Sequence, residues 1–140
     1  MNELPYIAKW LTETLKEDAT LIGYVAGRVY NDQPPSSPVF PLIRFNFMAG
    51  RDVQGNGTVR VMTRPLFQIK TIVRGPMSEV AQSIADRIDT LIQNASSVVF
   101  EGFIFSARRE QPIAYPESGP DPEIRFLHLG GLYRIDTQKV

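Results

Sequence analysis

The sequence predicts an α+β fold: a mostly antiparallel sheet of four to five strands, two N-terminal helices, and a long amphipathic helix packed on one sheet face. Three observations carry this. Apolar residues recur at helical spacing near the N-terminus and again between Pro76 and Gln93. Apolar and polar residues alternate from Pro41 to Met48, from Leu66 to Arg74 and from Phe103 onward. Short turn signals, not helical crossovers, separate most of the alternating stretches.

Residues 4–16 place Leu4, Ile7, Ala8, Leu11 and Leu15 on one helical face. Asn2 is the expected cap, and Pro5 sits in the first turn, where a missing N–H costs little. Asp18 is the expected N-cap of a second, short helix with Leu21, Ile22 and Val25 inward. Gly27 is its expected left-handed stop. Val29–Tyr30 is a short extended piece. The segment "NDQPPSSP" follows, and its three prolines lack N–H donors, so it continues no helix and no central strand. The chain resumes as a strand with Ile43, Phe45 and Phe47 facing one way and Arg44 and Asn46 the other.

"AGRDVQGNGTVRV" carries the turn signal Gly-Asn-Gly, which predicts a hairpin with strands from about Arg51 and about Thr58. The next strand, Leu66–Arg74, has Phe67, Ile69, Thr71 and Val73 inward and Gln68, Lys70, Ile72 and Arg74 outward, with Pro65 marking a break before it. Pro76 then opens the long helix. Its apolar stripe is Met77, Val80, Ala81, Ile84, Ala85, Ile88, Leu91 and Ile92. Val98–Phe100 with Phe103, Phe105 and Ala107 reads as one strand or two short ones. "YPESGPDPE" reads as an acidic, proline-rich loop. The last strand runs from Ile124 to about Asp136, with Ile124, Phe126 and Ile135 toward a core and a bulge expected at Gly130-Gly131.

The 140 residues suit a single domain, 1–140, long enough to enclose one core. Fifteen basic and fifteen acidic residues cancel, which argues against a general nucleic-acid binder. Without cysteine there is no disulfide, thiolate metal site or cysteine nucleophile. The charged N-terminus does not read as a signal peptide, and no apolar run approaches the ~20 residues that span a bilayer.

Little in the chain points to bond chemistry. His128 has no nucleophile or carboxylate near it in sequence and no companion ligands, so it reads as a strand or interface histidine. Asp86 and Asp89 flank Arg87 on the expected solvated face of the long helix. "GRDVQGNG" lacks the Lys-Ser/Thr ending of a phosphate loop. Catalytic, cofactor and metal residues are therefore expected to be absent. Arg60, Arg64, Lys70 and Arg74 form either a basic stripe facing DNA or a neighbour, or the solvated side of a sheet. The final strand has Leu127, Leu129 and Leu132 besides its other apolar residues, so either both its faces are covered within the subunit or one meets another subunit.

The stretch "LTETLKEDATLIGYVAGRVYNDQPPSSPVFPLIRF" resembles the opening of the tail-terminator, or tail-completion, family of tailed bacteriophages. The matching landmarks are Asp18, Ala19 and Leu21; Gly27 to Tyr30; Pro34, Pro35 and Pro38; and Pro41, Ile43 and Phe45. "RPLFQIKTIVRGPMSEVAQSIADRIDTLI" is similar to the family's next landmark, and the resemblance covers residues 4–93. It implies a structural virion protein without catalysis. Subunits would close into a ring, expected to be a hexamer, that caps the tail tube, ends its polymerisation and joins it to the neck. Partners would be further copies, the tail tube protein and a neck or head-completion protein, with DNA passing through unbound. The protein would be assembled in the host cytoplasm and reside at the virion's tail–neck junction. Candidate interface residues are Leu127, Leu129 and Leu132 with the loop residues Arg51, Gln54, Asn56, Glu117 and Asp121. The alternatives are a small ligand-binding or enzymatic α+β domain with His128 and the arginines at a pocket, or another neck ring protein.

Overall fold

Why the chain needs so punctuated a crossing before its first long strand becomes clear from the sheet. A computed structural model describes residues 3–57, 60–75, 78–93, 95, 98–121 and 123–140. Its elements are α1 (Leu4–Glu17), α2 (Ala19–Val25), β1 (Val29–Asn31), β2 (Leu42–Ala49), β3 (Asp52–Gln54), β4 (Arg60–Thr63), β5 (Leu66–Arg74), α3 (Ser78–Gln93), β6 (Val98–Phe100), β7 (Phe103–Ser118) and β8 (Arg125–Lys139). The class is α+β as expected; among the described residues there are three helices, and eight strands replace the four to five read from sequence.

β1 pairs with β2 in parallel, Val29 opposite Ile43. A parallel neighbour cannot be reached by a tight turn. The prolines of residues 32–41 carry the chain back to the start of β2, and the ring of Phe40 rests 4.8 Å from that of Phe126 on β8. Phe126 adjoins Leu127, which leans on the helix-side core, so Phe126 lies on the opposite face. The crossing therefore covers part of the sheet face that carries no helix.

β5 pairs with β2 on one side and β8 on the other, and β7 flanks β8 beyond, all antiparallel. β4 and β5 lie along the same edge of β8, interrupted at Arg64–Pro65, where Pro65 offers its carbonyl to Ile135 N–H at 2.9 Å. β3 pairs with β4 as the expected hairpin. β6 and β7 are two strands joined at Glu101–Gly102, both with positive φ (45° and 86°), the backbone of a tight primed hairpin turn.

All three helices bury one face on one side of this sheet. Ile7, Trp10, Leu11 and Leu15 of α1, Leu21 and Val25 of α2, and Ala81, Ile84, Ile88 and Ile92 of α3 form one cluster with Phe45, Phe67, Ile69, Phe105, Tyr133 and Ile135. Truncating a side chain such as Ile88 to alanine in a core of this kind costs about 2–5 kcal/mol. The expected α3 stripe is present among the described residues.

Several expectations are corrected. Ile22 is exposed, because a seven-residue helix resting on Leu21 and Val25 turns its next position outward. The left-handed stop begins at Ala26 (φ 49°) and continues at Gly27 (φ 78°). Lys70 and Ile72 are buried, not solvated, since the sheet is covered at its centre on both faces. Phe126 and Ile135 lie on opposite faces, being an odd number of residues apart in a regular strand. Tyr115–Ser118 belongs to β7 and not to a loop, so the connection to β8 is confined to residues 119–124. The bulge falls at Glu110 on β7, opposite the Tyr133–Leu132 step, while Gly130 and Gly131 pair regularly. β8 continues to Lys139. The N-cap position of α1 is Glu3, without a side-chain cap, and not the expected Asn2. Asn2 itself, the first-turn Pro76, the strand start at Thr58 and the stripe residue Met77 lie outside the described residues.

Candidate assembly surfaces

On the face opposite the helices, three strands contribute a closed polar cluster. Lys70 of β5 is 2% exposed and its ammonium donates to Tyr115 Oη of β7 at 2.6 Å. The Tyr115 ring stacks on His128 of β8, centroids 4.4 Å apart. His128, 4% exposed, meets Glu117 through Nε2 at 2.6 Å. An N–H at Nε2 donating to that carboxylate leaves Nδ1 as a bare lone pair, and Nδ1 has no partner among the described residues. Burial, reinforced by Lys70 and partly opposed by Glu117, pushes the imidazole pKa down, so His128 is neutral at pH 7. The bulge at Glu110 makes this cluster: it moves Ile113, Tyr115 and Glu117 onto the face of Lys70 and His128. No alternation rule reveals that shift. Nε2 is occupied and the ring is stacked against Tyr115, so the arrangement clamps β5, β7 and β8 together.

Farther along the same face, arginines and carboxylates interlock. Asp136 accepts from Arg64 Nε and Arg108 Nη1, both at 3.0 Å. Arg134 forks onto Glu110 at 2.9 and 3.1 Å, holding that carboxyl below the usual range, and its Nη1 donates to the Arg64 carbonyl at 2.8 Å. Arg60 pairs with the buried Glu3 at 3.3 Å and with Asp52 at 3.4 Å. Of the four basic residues singled out by sequence, Arg60 and Arg64 are thus ion-paired, Lys70 is buried and Arg74 is exposed. They do not form one continuous stripe.

Leu127 and Leu129 are half-buried and pack against the subunit's own core, whereas Leu132 is half-buried on the opposite face, between Gln68 and Gln111. Arg51, Gln54 and Asn56 are exposed around the β3–β4 hairpin. Glu117 and Asp121 are exposed at the far end of the sheet, near the β7–β8 turn. Asp89, expected on a solvated helix face, is instead half-buried and accepts from Tyr133 Oη at 2.9 Å. Its partner lies 44 residues away, beyond any local pattern.

Sequence reasoning also missed a feature at the end of the core. Phe47 is 42% exposed and borders two clefts, of about 410 and 270 Å³, that share Leu4. Its alternation marked it as inward. The ring borders the clefts beside Leu4 and Pro5 at the start of α1, which leave it partly open. Among the described residues, no group of three or more His, Asp or Glu is placed to hold a metal. None of their helices is long and apolar enough to cross a membrane.

Several of the described polar side chains tie strands and helices to one another, and the hairpin ends are left exposed. The sequence matches the family described as tail completion protein gp17 over residues 9–122, and the chain belongs to that family. It is a structural protein of phage-type tails. Among solved structures, a chain from "Virion of native gene transfer agent (GTA) particle" shares the fold at TM-score 0.61. It is 15% identical and covers 91% of this chain and 91% of its own length. A second solved chain is 17% identical with TM-score 0.53, covering 94% of this chain and 92% of its own. No curated protein matches the sequence.

Proposed function

We propose that this chain, acting as one domain, is the subunit of a closed ring, a hexamer, that caps the tail tube and ends its polymerisation. The opposite ring face receives the neck or head-completion protein, and DNA passes through the lumen without specific binding. The ring is assembled in the host cytoplasm and stays at the tail–neck junction of the virion. The family match over residues 9–122 carries this reading.

The physical chemistry is compatible with it. Ring closure requires two different surfaces of one subunit to meet by rotation. The candidate surfaces are the outer sheet face around Leu132 and the exposed hairpin ends at Arg51, Gln54, Asn56, Glu117 and Asp121. Leu127 and Leu129 join them only through their exposed fractions. With Arg60 and Arg64 ion-paired and Lys70 buried, the basic residues of β4 and β5 do not line up as a stripe that grips phosphate. The action is mutual burial of surface, without catalysis. A stable interface of this kind buries more than ~1,000 Å². The test is the mass of the purified chain by light scattering, alone and with tail tubes, followed by electron microscopy. Rings at tube ends support the proposal; tubes that remain bare and keep growing overturn it.

A further inference from the structure

We propose that the outer edge of β7 from Pro112 to Ser118 is a contact surface closed to strand addition, which a neighbouring copy of this chain engages with donor side chains. The identity of the neighbour rests on the ring reading above; the chemistry of the edge rests on hydrogen-bond register. β6 covers β7 only at residues 103–105, and no described strand pairs with the outer edge beyond. A long bare edge invites a foreign strand.

Hydrogen bonds at both ends of the stretch fix which backbone groups face outward. Ala107 N–H leaves β7 for the Ala95 carbonyl at 3.0 Å, and Arg109 N–H leaves it for Gln93 Oε1 at 3.4 Å. At the far end, Gly119 N–H points inward to the Ile124 carbonyl at 2.9 Å. Backbone direction alternates along a strand, and the single extra residue at Glu110 changes its phase. Residues 107 and 109 therefore face out before the bulge, and 112, 114, 116 and 118 after it.

Two of those four outward residues are Pro112 and Pro116. With β7 continuing in the unbulged register, both proline nitrogens would point at β8 and cost ladder bonds. With the bulge they point at the free edge. That edge presents four carbonyls and two N–H groups, so a strand laid against it would leave its acceptors opposite the two prolines unpaired. Donor-rich side chains suit it instead. Residues 110–124 contain four carboxylates and no Lys, Arg or His; Glu110 is taken up by Arg134, and Glu117, Asp121 and Glu123 favour cationic donors further.

The experiment restores the missing donors. In Pro112→Thr/Pro116→Thr the edge becomes regular, and the mass by light scattering should rise with concentration above that of the parent. Adding Ala114→Pro should return it to the parent value. As a fold control, Ala114→Pro alone removes an outward N–H and should leave the melting temperature nearly unchanged, whereas Ile113→Pro removes an inward one and should lower it by several degrees. A double variant with the parent's mass at every concentration overturns the closed edge, and so does equal melting of the two single variants. These arms need no ring, so they hold or fail separately from the ring reading. In a particle map at side-chain resolution, donor side chains of a neighbouring copy should lie on these carbonyls. A paired strand there, or an edge bare of neighbours, overturns the contact.

Discussion

Asp18 joins three parts of the molecule through one carboxylate. Its Oδ2 accepts Leu21 N–H at 3.1 Å and caps α2, while Arg87 of α3 forks onto both oxygens at 2.6 and 3.0 Å. The Arg87 hydrogen bonds hold the carboxyl below the usual aspartate range, opposed by burial and helped by the Leu21 N–H. The capping role was legible, because Asp18 stands three residues before the apolar pair Leu21–Ile22, the spacing at which a side chain caps a helix N-terminus. The Arg87 partner was not, because it lies 69 residues away and local spacing carries no such information. Asp18→Ala should cost about 1–2 kcal/mol in urea denaturation at pH 7. Asp18→Asn keeps the cap and loses only the charge, so it isolates the pairing, whose worth solvent screening keeps small. A depressed folded pKa stabilises above the unfolded value of about 4, and that stability is lost as pH falls through the folded pKa. The gap between parent and Asp18→Asn should therefore be full at pH 7 and close as the pH falls below the unfolded value, through the lowered folded one. A gap independent of pH would contradict the pairing.

β8 is the element on which the sheet depends, since it pairs with β5 and β4 on one side and β7 on the other. Its glycines serve close approach. A Cβ added at Gly130 would sit 2.2 Å from the Ile69 carbonyl oxygen and 2.5 Å from Lys70 Cα, backbone atoms that cannot swing aside. Gly130→Ala should lower stability by roughly 1–3 kcal/mol, the range for overpacking. Gly23→Ala, in α2 with nothing within 4 Å of the added methyl, should raise it by roughly 0.5–1 kcal/mol. Calorimetry that ranks them the other way would refute the close approach. The β3–β4 hairpin supplies the contrast: residues 54–57 are exposed, and deleting Gln54–Gly57 should leave the melting temperature within a few degrees while impairing assembly. An unfolded deletion variant would make the hairpin part of the core. At this scale the long helix and the alternating strands β2 and β5 were readable, because burial imposes their periods. The bulge was not, since an extra residue changes the phase without altering composition. Tyr115–Ser118 was read as a loop because Pro112 and Pro116 look like breakers until an edge position is known.

For the whole molecule, the class of fold followed from the order of periodic segments, and the assembly surfaces largely did not. Leu127, Leu129 and Leu132 looked equivalent in sequence, yet the pleat sends the first two toward the subunit's own core and the third to the opposite face. That difference selects the variant. Leu132→Asp should leave the subunit folded by circular dichroism but yield tails of uncontrolled length or tails that fail to join heads. Fully infectious particles from that variant would remove Leu132 from the interface. Substituting Leu127 or Leu129 by Asp confounds the two effects, because a charge placed against the core destabilises the subunit itself. The place of the chain in the particle can be seen most directly in a cryo-electron-microscopy map of the tail–neck junction. A tail-terminator subunit should appear there as a closed hexameric ring of this fold seated on the last tube ring, with the hairpin ends and the Leu132 face in contact with neighbours. A junction lacking this chain, or holding it as isolated copies that do not close a ring, would contradict the proposed ring.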